Sequence, residues 1–166
     1  LTDLPAIFAS SIKGSLRQLL SRKLDGSQVT DVFGSDNKGG DEAGADQLKQ
    51  GQYVFYQAKL LALPIRSSHD LYYMATTPYL IQDLLDDLKR RNQDDLASPG
   101  LATLADMAKQ VYEGAPKHFG PADTTIQMEG MSAEHAGKSL TIDDQLKYLL
   151  GERIVLLHVN DFARLA

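Results

Sequence analysis

Short apolar runs alternate along this chain with stretches of helical period, and that alternation limits its fold more than any single residue does. Leu60–Ile65 is a continuous apolar run whose brevity favours a buried strand over a helix. Leu71–Thr76 and Ile154–Val159 read as further strands, and Tyr53–Ala58 alternates as a strand. Between them, Thr77 caps and Pro78 opens a helix with apolar Leu80, Ile81, Leu84, Leu85 and Leu88. Its charges follow the helix dipole, with Asp83, Asp86 and Asp87 early and Lys89, Arg90 and Arg91 late, as a solvated face requires. A second helical pattern, Leu101, Leu104, Met107 and Val111, follows the Ser98-Pro99-Gly100 break. Thr141 is the expected cap of a third, carrying Ile142, Leu146, Leu149 and Leu150 and ended by Gly151. Another helix starts at Asn160. Residues 116–140 are polar and mixed and read as an inserted arm or hairpin, with Met128 and Met131 near a short strand. The pattern predicts an α+β fold.

The N-terminal segment carries the chemistry. Leu4–Ala9 is a short strand-like run, and Ser10 and Ser11 offer N-cap hydroxyls ahead of a stripe of Ile12, Leu16, Leu19, Leu20 and Leu24. Lys13 and Arg17 stand four apart, opposite that stripe. A cation so near a helix start faces the positive end of the dipole and costs a few tenths of a kcal/mol, roughly, when exposed. A docked anion reverses the sign. Serine hydroxyls, free backbone N–H groups and a lysine at a helix start together suit a phosphate.

Net charge is −5, from 17 basic and 22 acidic residues, which argues at first against nucleic acid. Its distribution qualifies that. Residues 1–24 hold Lys13, Arg17, Arg22 and Lys23 against Asp3 alone, whereas residues 25–50 hold Asp25, Asp31, Asp36, Asp41, Glu42 and Asp46 against Lys38 and Lys49. The acid falls largely in residues 34–51, a glycine-rich, charged stretch without apolar period that reads as a flexible loop.

At 166 residues the chain is expected to form one domain. It has no cysteine, which excludes disulfides, thiolate nucleophiles and cysteine-held zinc. No apolar run approaches the roughly 18 residues of a membrane span, and the expected location is the cytoplasm. His69, His118, His135 and His158 form no pair at metal-ligand spacing, so no metal site is assigned to them. The paired acids Asp86/Asp87, Asp94/Asp95 and Asp143/Asp144 read as surface residues.

Three segments in order carry a family resemblance. Thr2-Asp3-Leu4-Pro5-Ala6-Ile7-Phe8-Ala9-Ser10-Ser11-Ile12-Lys13-Gly14-Ser15-Leu16-Arg17 resembles the Pro-x-Ile-x-x-Ser-Ser-Leu-Lys-Gly-Ala-Leu-Arg signature of the RAMP superfamily, RNA-binding subunits of CRISPR effectors. Val32-Phe33-Gly34, the run Gly51 to Ser67 containing Leu63-Pro64-Ile65-Arg66-Ser67, and Tyr73-Met74-Ala75-Thr76-Thr77-Pro78 follow as in the backbone subunits of type III-B (Cmr) complexes. Gly151–Val155 and Asp161–Leu165 are similar to later elements of those subunits.

The resemblance implies a ferredoxin-like (RRM-like) core and expects further family segments before and after this stretch. It implies CRISPR RNA, single-stranded target RNA, copies of the same chain and other effector subunits as partners. Family members are implied to cut target RNA with divalent metal (Mg or Mn) and an aspartate in a loop upstream of the signature. Asp3 falls where the signature has glycine, so that role is not carried over to it, and no catalytic residue is assigned. Guide-RNA phosphates are expected at Ser10, Ser11, Lys13, Gly14 and Arg17, with Arg66 and Ser67 as second candidates. Met128 or Met131 is a lesser candidate for wedging against a base, core packing being the plainer reading. A type III-A backbone subunit and a non-RNA-binding assembly module stay open as alternatives.

Overall fold

A computed structural model describes residues 4–35, 49–93, 97–120, 124–137 and 140–165. They form two compact units, one of Pro5–Lys59 and one of the chain from Leu60 onward together with Leu4.

In the first unit, β1 (Ala6–Ile7) runs antiparallel to β2 (Ala58–Lys59), with Ala6 opposite Lys59. Helices α1 (Ala9–Leu20) and α2 (Gly26–Phe33) lie between them in sequence. α2 occupies sequence that its charge had suggested was loop. It begins with a capping box: the Asp25 carboxylate accepts from the Gln28 amide and the Gln28 side chain accepts from the Asp25 amide. Its Val29 and Phe33 are buried, and Phe33 stacks on Phe55 at 5.3 Å. The chain comes back through an antiparallel bridge of Gly34 and Gln50, with the Ser35 amide donating to Lys49 and the Gln52 amide to Asp31. Of the expected loop, residues 36–48 lie outside the described residues. The strand expected at Tyr53–Ala58 shrinks to Ala58–Lys59, because the two-residue β1 is its only partner strand among the described residues.

The second unit holds a six-stranded sheet of β3 (Leu63–Ile65), β4 (Tyr73–Thr76), β5 (Lys117–Phe119), β6 (Ile126–Met128), β7 (Met131–His135) and β8 (Ile154–Leu156). Their order is β3-β4-β8-β5-β7-β6. Four helices complete it: α3 (Pro78–Arg90), α4 (Pro99–Ala108), α5 (Asp144–Leu150) and α6 (Val159–Ala163). β4 and β8 are parallel neighbours, and β5, reached from β4 through α3 and α4, lies antiparallel on the far side of β8. β8 thus stands between β4 and β5, the strand placement of a ferredoxin-like core, with β4 and β8 parallel where that core has antiparallel neighbours. Residues 116–140, expected as an inserted arm or hairpin with a short strand near Met128 and Met131, contain that hairpin as β6 and β7, and together with β5 they supply half of the sheet. Strands of three to five residues with mixed polar content give little period for sequence to show.

β8 is the middle of the packing. Ile154, Val155, Leu156 and Leu157 are all fully buried. Ile154 and Leu156 join Ile81, Leu101, Leu104, Leu146 and Leu150 of α3, α4 and α5, whereas Val155 and Leu157 join Tyr73, Ala75, Ile126, Met128 and Phe162. A strand covered on both faces reads as a continuous apolar run, which is how it was found.

The helix ends follow local chemistry. Thr77 accepts from the Leu80 amide and Pro78 takes the first turn, as expected. Ser98 caps α4. Asp143, not Thr141, caps α5: its carboxylate accepts from the Leu146 amide and also from the Gly100 amide of α4, both at 2.8 Å. A carboxylate serves two helix starts where one hydroxyl cannot, and those bonds, led by that from Leu146, hold its pKa below the ordinary value. Gly151 ends α5 with φ 75°.

The sheet curls until its two outer strands nearly meet. Ser68, just beyond β3, donates its amide to the Gln127 carbonyl (2.9 Å), and the Gln127 amide donates to the Ser68 hydroxyl (3.0 Å) on the outer edge of β6. An edge so occupied does not invite another strand. Among the described residues no helix is long and apolar enough to cross a membrane.

One contact in this unit leaves no slack. A Cβ on Gly120 would lie 2.8 Å from the hydroxyl of Tyr73, whose ring is fully buried. Gly120→Ala should therefore destabilise the protein by about 1–3 kcal/mol in urea unfolding, and Tyr73→Phe in the same chain should recover part of the loss. A Gly120→Ala midpoint equal to wild type would show that the ring has room.

Candidate functional site

Helix α1 starts one turn earlier than its serines suggest. Phe8 is the N-cap, in extended conformation, and no side chain caps the helix. Ser10 and Ser11, expected as caps, lie inside the first turn. The Ile12 amide is the first to bond back, to the Phe8 carbonyl at 3.1 Å. The amides of Ala9, Ser10 and Ser11 thus have no helical acceptor. Lys13 opens the second turn.

The orientation of α1 departs in part from the expected one. Of its apolar stripe Ile12 and Leu20 are half-buried but Leu16 and Leu19 are exposed, no residue of the helix is buried, and Lys13 and Arg17 are themselves half-buried. The basic side chains face the returning chain. Ala9, Ser10 and Lys13 line a groove of about 270 Å³ whose other wall is Gln50, Gly51, Tyr53, Val54 and Phe55. Among the described residues no carboxylate lines it. Lys13 makes no hydrogen bond or ion pair with any described residue.

Arg17 serves a different purpose. Its Nη2 donates to the Gly34 carbonyl at 3.0 Å, tying α1 to the end of α2. Gly34 there has φ 85°, and a Cβ on Gly51 would lie 2.6 Å from the Phe33 carbonyl carbon, so the two backbones meet only because both residues lack one. Gly14 has nothing within 4 Å of where its Cβ would be, which leaves that side of α1 open.

Arg66 and Ser67 belong to the other unit. Arg66 is exposed. The Ser67 hydroxyl accepts from the amides of His69 and Asp70 and donates to the Asp70 carbonyl. It is committed to a turn that presents Ser68 to Gln127, and so is not available to a ligand. Met128, a candidate wedge, is buried in the core and Met131 packs against it.

Sequence reasoning missed the aromatic wall. Tyr53, Val54, Tyr56 and Phe8 are all more than half exposed. Tyr53 and Phe55 were visible as strand alternation, but only the fold separates the stacked Phe55 from the free Tyr53. It also missed how the local acid is used. Asp25 is a cap whose carboxylate is held below its ordinary pKa, first by the Gln28 amide and then by the Ser27 hydroxyl, and Asp31 is paired with Lys49.

The divalent metal that the resemblance implies does not fit these residues. Among the described residues no three His, Asp or Glu side chains come together to hold an ion. Asp3 lies outside them. His118 and His135 do meet, edge to face at 5.3 Å, but as a pair alone.

No family profile and no curated protein matches this chain. Solved structures do. The crystal structure of oligomeric Cmr4 from Pyrococcus furiosus matches with a TM-score of 0.63 at 20% identity, over 98% of this chain and 61% of that one. A type III-B Cmr-beta complex in its apo state matches at 0.69 with 18% identity, over 96% and 56%. The Cmr-beta complex bound to cognate target RNA matches at 0.65 with 18% identity, over 95% and 55%. The chain thus has the fold of these subunits and spans 55–61% of their length.

The roles of the two cations are separable. Arg17→Ala should speed amide exchange at Ser35, whose bond to Lys49 closes the return, by about tenfold, since a bond from a charged donor is worth about 1.5–3 kcal/mol. Lys13→Ala should leave that amide unchanged; equal effects from both would mean that Arg17 does not hold the return.

Proposed function

We propose that this chain is a repeating backbone subunit of a type III-B CRISPR ribonucleoprotein in the cytoplasm, holding guide-RNA phosphates at the start of α1 and thereby positioning single-stranded target RNA. The observation that carries this reading is Lys13, without a partner among the described residues, at the mouth of a groove that also offers the unbonded amides of Ala9 and Ser10 and the Ser10 hydroxyl. Such a constellation attracts an anion. Exposed Tyr53, Tyr56 and Phe8 add faces on which unpaired bases stack, a feature that separates single-stranded RNA from a small anion. The fold shared with Cmr subunits supports this choice of complex.

Contacts of this kind position RNA without reading its sequence, as a scaffold for interchangeable guides requires. A chain of charge −5 holds RNA weakly by itself, and several copies on one guide, joined to the other effector subunits, add their contacts. With no metal-ligand set among the described residues, the part proposed here is binding and positioning. The exposed apolar residues Ile7, Phe8, Leu16 and Leu19 favour a second reading, an assembly module that makes no RNA contact.

A salt titration decides between them. Lys13→Ala is expected to weaken binding of single-stranded RNAs of unrelated sequence alike, and to lower the slope of log affinity against log salt by about 0.7, the loss of one phosphate contact on a single strand. Unchanged affinity and slope would favour the assembly module.

A further inference from the structure

The curled sheet contains a polar cluster that RNA binding does not use. His118 of β5 is fully buried, and its Nε2 lies 2.8 Å from the Thr124 carbonyl. A carbonyl only accepts, so that nitrogen carries the proton and Nδ1 is a bare acceptor. Nδ1 has no partner. The ring meets Tyr73 of β4 edge-on at 5.7 Å and His135 of β7 at 5.3 Å, and Val155 of β8 stands opposite in the ladder. Asp70, next to Tyr73, faces Arg153, with the guanidinium 2.9 Å from its carboxylate. A second proton on His118 would go to Nδ1, where no described residue accepts it, inside an apolar shell beside another imidazole.

The position of this ring gives the protonation a mechanical consequence. Thr124 leads into β6, so His118 holds the hairpin of β6 and β7 at its entry. Along the backbone that hairpin has few other ties: β7 pairs with β5 at two positions, Lys117 with Glu134 and His118 with His135, and β6 is tied at its outer edge by Ser68. Its remaining hold on the sheet is the burial of Ile126, Met128 and Ala133 in the core, so it opens as a minor state and not as a free flap.

We propose that His118 is an acid-sensitive latch: as the neutral ring it lies dry beneath the β6–β7 hairpin and bonded to Thr124, and as the imidazolium, whose Nδ1 proton meets no described acceptor there, it favours the open state in which the hairpin lifts from β5 and Ser68 and water reaches the ring. Burial, the foremost cause, pushes the His118 pKa down, aided by His135 and His69 and opposed by the Thr124 bond. A group whose folded pKa lies below its unfolded value contributes stability above the unfolded value. Here that is about pH 6.5, and the contribution declines as pH falls below it. The Lys117–Glu134 pair does not account for the release, because Lys117 holds the Glu134 carboxyl below its ordinary value and the pair persists over that range.

Residue-resolved amide exchange on the full chain at pH 7.5 and 5.0, corrected for intrinsic rates, tests the latch. In the wild type the amides of β6 and β7 are expected to open about tenfold more at pH 5.0, while those of β4 and β8 do not change. In His118→Gln, which can donate to Thr124 but cannot become a cation, the opening should not depend on pH; His135→Gln should keep it. Acid opening that persists in His118→Gln, or that spreads evenly over the sheet, overturns the proposal. Should His118→Gln not fold, an NMR titration of the wild-type His118 ring decides: its midpoint must coincide with loss of protection in β6 and β7, and separate midpoints overturn the latch.

Discussion

Burial of β8 on both faces is the constraint on which the larger unit depends. Its four consecutive aliphatic residues, Ile154 to Leu157, are all fully buried and divide between the two cores. Each fully buried aliphatic side chain is worth about 1.5–3 kcal/mol, so this one segment offsets much of the ordering cost of the strands beside it. Those strands are short, and β5, with its buried histidine, could not stand without β8 at its side. The polar cluster around Tyr73 and His118 is tolerated because the apolar packing around it is secure.

The smaller unit is held together by other means. Helix α1 buries no residue, and the unit closes through hydrogen bonds between backbones that come unusually near each other at Gly34 and Gly51. Arg17 reinforces that closure from a neighbouring turn. Segments with few buried contacts are the ones free to present side chains to a partner. Among the described residues, Lys13 and Tyr53 stay available because the unit's own packing does not need them.

Sequence showed the parts whose physics is local. Thr77-Pro78, Gly151 and the run beginning at Ile154 announce a helix start, a helix end and a doubly covered strand, and each lies where it was expected. The capping box of Asp25 and Gln28 was equally visible, but the acid around it suggested loop, and α2 went unseen. At α1 two serines could have served as cap, but the position fell to Phe8, whose side chain caps nothing, because the chain turns there directly after the β1–β2 pairing. The orientation of α1, the aromatic wall and the place of residues 116–140 in the sheet depend on contacts distant in sequence, which periodicity cannot report.

The same distinction explains why a net charge of −5 is a poor guide to the groove. An acidic residue placed as a cap or partner has its field answered locally: Asp25 and Asp143 accept from helix-start amides, Asp31 faces Lys49, Glu134 faces Lys117 and Glu152 faces Lys147. Each such carboxylate is counted in the total, yet it contributes little potential a Debye length away, about 8 Å at physiological salt. Lys13 has no such answer among the described residues, and no acid is among the described residues that line the groove. Of those residues, what faces an approaching anion is therefore one unanswered ammonium and the helix-start amides beside it, and not the average charge of the chain.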